Sequence, residues 1–199
     1  MNVSGFNFEY LKETRFNTVY NELKLAKELD EIDKRSCCTK LRYTLEIIIS
    51  EIIDIIGWNN CKGKNLYDNI MLLSKNLPYC LKEYNGEDIV KEMHNVRRYG
   101  NDSTHHATRN NVDLNKAAKT CWIAINKICH WANGFESNYY IYMEEERKRQ
   151  KRKEEEKRKR NAQRKRTAIK WLKRLGRVIL PGFDVLLELS LELSKERKK

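Results

Sequence analysis

A chain of 199 residues and 23.8 kDa has room for one ordinary domain and an appendage. Charged residues make up 34% of it and the formal net charge is +12. A second full hydrophobic core is therefore not expected, and part of the chain is expected to stay in solvent.

The excess charge is local. Residues 1–143 carry 19 bases against 18 acids, residues 144–170 carry 14 against 6, and residues 171–199 carry 7 against 4. A near-neutral body with a basic C-terminal arm predicts that a polyanion meets the arm first. The sequence divides accordingly into a body over 1–133, an aromatic patch with a charged helix or linker over 134–170, and an amphipathic segment over 171–199.

Apolar residues recur at three and four rather than at two, which predicts an all-α fold. Phe16, Tyr20, Leu23, Ala26 and Leu29 share one helical face. Ser36 to Ile56 carries a wide stripe (Leu41, Leu45, Ile48, Ile49, Ile52 and Ile56) that stops at Gly57, and is expected to be the central helix. Leu66, Ile70, Leu73 and Leu77 mark a shorter helix closed by Pro78. Glu87 to Tyr99 predicts another, ended by Gly100-Asn101, residues that tolerate positive φ. Asp113 or Asn111 can cap the next, whose core face runs from Leu114 through Trp131 to Asn133-Gly134. The body is thus expected to be a bundle of four or five helices.

Beyond it, Tyr139, Tyr140 and Tyr142 are expected to seal the junction of body and arm. Glu144 to Arg166 is almost devoid of apolar residues, while acids precede bases by four positions, as in Glu145 with Arg149 and Glu154 with Arg158. Such pairs predict a solvated single helix, with disorder as the competing state and no coiled-coil seam. Arg147, Arg149, Arg152, Arg158, Arg160 and Arg164 are its candidate nucleic-acid contacts. Trp171, Leu172, Leu175, Val178 and Ile179 then form a basic amphipathic turn, Pro181-Gly182 breaks it, and Phe183 to Leu193 is too short and too acidic to span a membrane. The last segment is expected to dock on a partner protein, a membrane surface being the less favoured alternative.

With no charged n-region and apolar h-region at the N-terminus, a cytoplasmic setting is expected, and the six cysteines are read as reduced thiols. No CxxC pair occurs, so neither a metal nor a cofactor is expected. His94 is expected to face solvent and His130 to sit at a helix C-terminus, where the dipole favours it.

The chemically densest string is Arg97-Arg98-Tyr99-Gly100-Asn101-Asp102-Ser103-Thr104-His105-His106. Arginine holds phosphate in a planar fork and histidine moves protons near neutral pH, a combination suited to phosphodiester chemistry. Glu46, four residues after Arg42, has two readings: an ordinary ion pair at the core edge, or a carboxylate that orients Arg97 or a histidine.

Taken with the aromatic entry Phe6, Phe8 and Tyr10 and the run Arg42-Tyr43-Thr44-Leu45-Glu46, residues 6–133 resemble a HEPN-like helical domain of unknown function, found alone in bacteria and at the front of type I restriction endonuclease R subunits. The resemblance implies a module that binds nucleic acid, RNA rather than DNA, in a defence or toxin setting. It implies a homodimer in which two Arg/His motifs face one cleft. Metal-independent endoribonuclease activity is the enzymatic expectation that follows. In that scheme Arg97 or Arg98 grips phosphate, His105 is general acid or base, Asn101 shapes the turn, Glu46 orients them and His106 adds a contact. Six residues separate Arg98 from His105, and Tyr99 follows Arg98 where HEPN ribonucleases often carry a polar residue. A non-catalytic interaction module is the competing expectation.

Overall fold

A computed structural model describes residues 5–105 and 113–179; the side chains of His105 and of residues 176–179 are outside that description. It is all-α apart from one small hairpin. In chain order the elements are α1 (Asn17–Ile32), α2 (Lys34–Ile56), α3 (Leu66–Asn76), α4 (Tyr79–Lys82), β1 (Glu83–Tyr84), β2 (Glu87–Asp88), α5 (Ile89–His105) and α6 (Leu114–Ile179). Single 3-10 turns lie at Glu9–Leu11 and Asn59–Cys61.

The chain divides into two compact units, 1–142 and 143–199. In the first, α2 is central, as its stripe predicts: Leu41, Leu45, Ile48, Ile49, Ile52 and Ile53 are all buried between α1 and α5. Each such side chain contributes about 2 kcal/mol of hydrophobic stabilisation. The Asp33 carboxylate caps α2 by accepting from the amides of Arg35 (2.9 Å) and Ser36 (3.2 Å). Gly57, at φ 80°, ends the helix where the sequence places its stop.

Three boundaries differ from the sequence expectation. Glu83 to Asp88 forms an antiparallel hairpin, so Glu87 and Asp88 are strand where the sequence predicts the start of a helix. Its turn is Asn85 (φ 52°) and Gly86 (φ 79°), the left-handed pair that a two-residue hairpin turn of this twist requires. Second, α5 does not stop at Gly100-Asn101 but continues to His105. Gly100 serves packing there, since a Cβ on it would stand 2.5 Å from Cβ of Arg42 on α2. Third, α6 runs through Asn133-Gly134. Trp131, Ala132 and Phe135 are buried, and Tyr139 and Tyr142 pack on the core, so the core face outlasts the glycine and outweighs its penalty of about 1 kcal/mol.

The buried Trp131 indole N–H donates to the carbonyl of Leu81 (2.6 Å), tying α6 to α4. His130 is not at a helix end: it lies inside α6, exposed, with its ring stacked on Tyr10 at 4.8 Å. In the second unit the described residues continue α6, and almost every side chain from Glu144 to Lys170 is exposed. Among the described residues no helix is long and apolar enough to cross a membrane. Pro181-Gly182 and Phe183 to Leu193 lie outside the described residues.

Candidate functional site

Arg97 and Arg98 are neighbours on α5 and meet different surroundings. The half-buried Arg97 guanidinium lies 5.1 Å from the centre of the Tyr67 ring on α3, and its Nε is buried without a hydrogen-bond partner among the described residues. His94, one turn earlier, leans on the same ring at 5.9 Å. Burial, then the nearby Arg97 charge, hold this imidazole below its ordinary value, which favours its neutral form. Arg98 is exposed; it donates to Oδ1 of Asn95 (3.2 Å) and lies 5.4 Å from the Tyr99 ring centre. Lys91, His94, Arg97 and Arg98 line a groove of about 510 Å³, with Asp88 its acid.

That groove takes in two of the four residues assigned a catalytic role. Glu46 lines another, on α2, where it accepts an ion pair from Arg42 (2.9 Å); this is the ordinary i, i+4 reading. The two helices run antiparallel, since Thr39 meets Thr104 (3.4 Å) and Arg42 meets Gly100. Asn101 is helical and half-buried rather than turning the chain. His105 is the last residue of α5. Helix rise puts its backbone two turns, about 10 Å, beyond that of Arg98. His106 lies outside the described residues.

Sequence reasoning missed His94, Lys91 and Tyr67. Lys91, His94 and Arg98 are spaced three and four apart, a stripe readable along α5. Tyr67 carries no such signal, because only the packing of α3 on α5 brings it to the arginine.

The second unit presents the arm residues. Arg147, Arg152, Arg158, Arg160 and Arg164 are exposed and make no ion pair among the described residues. Three of the arm's acids engage other neighbours: Glu144 with Lys148 (2.8 Å), Glu155 with Lys159 (2.8 Å) and Glu146 with Arg149 (3.8 Å). Hydrogen bonds from Lys148 and Lys159 hold the Glu144 and Glu155 carboxyls below their ordinary value. Arg160, Arg164 and Trp171 share one side of the helix. Among the described residues no group of three or more His, Cys, Asp or Glu side chains could hold a metal ion.

These features define a helical bundle with a cationic groove on α5, followed in sequence by a basic helical stretch. Residues 24–160 match the family model described as a domain of unknown function, DUF4145, and the chain belongs to that family. The matched segment runs from within α1 through both arginines and into the basic stretch. No curated protein and no solved structure matches the chain.

Proposed function

We propose that the chain is a nucleic-acid-binding module that takes RNA in preference to DNA, with the basic stretch of α6 making first contact. The observation that carries this reading is that the exposed Arg147, Arg152, Arg158, Arg160 and Arg164 make no ion pair among the described residues. Guanidinium groups held along a helix release counterions from a phosphate backbone, which is the sequence-independent source of affinity. The preference for RNA rests on the HEPN-like resemblance of residues 6–133. The test is binding of labelled RNA and DNA across a salt series, with Arg152, Arg158, Arg160 and Arg164 replaced together by Gln. Four lost phosphate contacts flatten the logarithmic salt slope by about 3 for a single strand. An unchanged slope would sink the proposal.

A second reading, a metal-independent endoribonuclease acting as a homodimer, is favoured by the place of Arg98 beside Arg97 in the α5 groove, on the helix that ends at His105. Here Arg98 steadies the phosphate and His105 moves the proton. RNA incubated with chelator and the purified chain, beside Arg98→Ala and His105→Ala, decides it; equal cutting by all three removes the assignment. A third, non-catalytic reading in which the arm docks on a partner protein is favoured by the exposed Trp171, Leu172 and Leu175. Co-purification that persists in Arg98→Ala and is lost in Trp171→Ala would support it.

A further inference from the structure

A second cationic surface is lined by residues other than Arg97 and Arg98. Arg35, Thr39, Arg42, Tyr43, Glu46 and Ser50 fall within about a third of the circumference of α2, by 100° per residue. They stretch over about 22 Å of helix. Two grooves share Arg42: one of about 570 Å³ reaches from Arg35 to Tyr43, and one of about 500 Å³ reaches from Arg42 to Lys62 and Lys64.

The second groove is closed by a shaped loop. The Gly63 amide donates to Oδ1 of Asn69 (2.6 Å), and a Cβ on Gly63 would stand 2.4 Å from Cβ of Asp68. Only glycine lets the loop sit this close to α3, and its position puts exposed lysines on both sides, Lys62 hydrogen-bonded to the Ser50 hydroxyl. Glu46 balances Arg42, and Glu22 balances Lys40. Arg35, Lys62 and Lys64 make no ion pair among the described residues, so the surface keeps a surplus of positive charge. Nε of Arg42 is buried without a hydrogen-bond partner among the described residues. Between the two ends stands Tyr43, half its surface open to solvent, with the Lys40 ammonium 5.3 Å from its ring centre.

Cations along a groove with an open aromatic ring between them are what an unpaired strand requires: charge for each phosphate and a flat face for a base. A duplex keeps its bases stacked on each other and has no use for the ring. Resting on the nucleic-acid reading above, we infer that α2 and the Lys62–Lys64 loop form a track for single-stranded nucleic acid, with phosphates held by Arg35, Lys62 and Lys64 and a base stacked on Tyr43. The track fixes where the strand lies on the body, a task separate from capture by the arm.

The experiment measures fluorescence anisotropy of a labelled oligouridine, and of an RNA duplex of the same length, with the full chain. Tyr43→Ala is compared with a Lys62→Ala/Lys64→Ala double variant and with the arm variant, all checked for helix content by circular dichroism. Tyr43 and both lysines are exposed, so the fold is expected to survive. Tyr43→Ala should weaken oligouridine binding about tenfold and leave duplex binding unchanged. The lysine pair should reduce the salt slope by about 1.4. If the arm variant loses binding while Tyr43→Ala and the lysine variant match the parent, the track is wrong and the nucleic-acid reading stands. Equal losses on strand and duplex overturn the single-strand assignment. No binding by the parent chain overturns both.

Discussion

Gly100 on α5 meets Arg42 on α2 without space for a methyl group: a Cβ there would stand 2.5 Å from Cβ of Arg42 and 2.9 Å from its Cδ. The first is the root of the arginine side chain and cannot swing away, so the helices themselves must move apart. Overpacking of this kind costs about 1 to 3 kcal/mol, against about 1 kcal/mol gained when alanine replaces a helical glycine. Gly100→Ala is therefore expected to lower stability by about 1 kcal/mol in urea unfolding. Gly134→Ala is the matched control, because its Cβ would meet only Asn138 at an ordinary 3.6 Å. That variant should gain up to about 1 kcal/mol. A stabilised Gly100→Ala would show that α2 and α5 do not approach as closely as described.

Asp33 links stability to acid. Hydrogen bonds from the Ser36 hydroxyl and the Arg35 amide hold its carboxyl below the ordinary aspartate value of 3.8. A carboxylate depressed on folding stabilises fully above its unfolded value and loses that contribution as pH falls through the folded one. Asp33→Ala should cost about 1 kcal/mol at neutral pH, the usual worth of an N-cap. The gap from the parent should narrow as the pH drops below 3.8. A gap that is constant from neutral to strongly acidic pH would exclude the ionised cap.

The six thiols divide by access. Cys61 and Cys80 are exposed, whereas Cys37, Cys38, Cys121 and Cys129 are buried. Burial pushes the Cys37 and Cys129 thiols up, and hydrogen bonding with Cys38 together with burial pushes Cys121 up. Cys38 is pulled down by its hydrogen bond with Cys121 but is walled off from solvent. A thiolate reagent should therefore titrate two groups quickly in the native protein and six after denaturation. Fast reaction of Cys38 would mean that the core opens where α2 meets α6.

Where periodicity and packing agree, the sequence is enough. The stripe from Leu41 to Ile56 and the glycine after it locate α2 to within two residues at its start and none at its end. Gly100 and Gly134 mislead for one reason: glycine is read as a helix stop from its freedom, whereas here one glycine admits a close neighbour and the other is overridden by Phe135 and Tyr139. The hairpin escapes because Glu83-Tyr84 and Glu87-Asp88 are too short to show alternation, although Asn85-Gly86 between them is a recognisable turn signal. Of the site, the arginines of α5 are legible by their chemistry. Tyr67 beneath Arg97 and the lysines opposite Arg42 depend on contacts between helices, which no local pattern encodes.

The basic stretch of α6 has one further consequence. Counted at 100° per residue, Arg147 and Arg158 share a bearing, while Arg149, Arg152 and Arg164 point to other sides of the helix rather than along one line. A helix with cations on several sides holds a polyanion without telling it which way to lie, so a strand bound there would be free to roll and slide. Under the nucleic-acid reading proposed above, the arm would act as a rail rather than a socket, and any reading of strand polarity or of individual bases would have to come from the folded body.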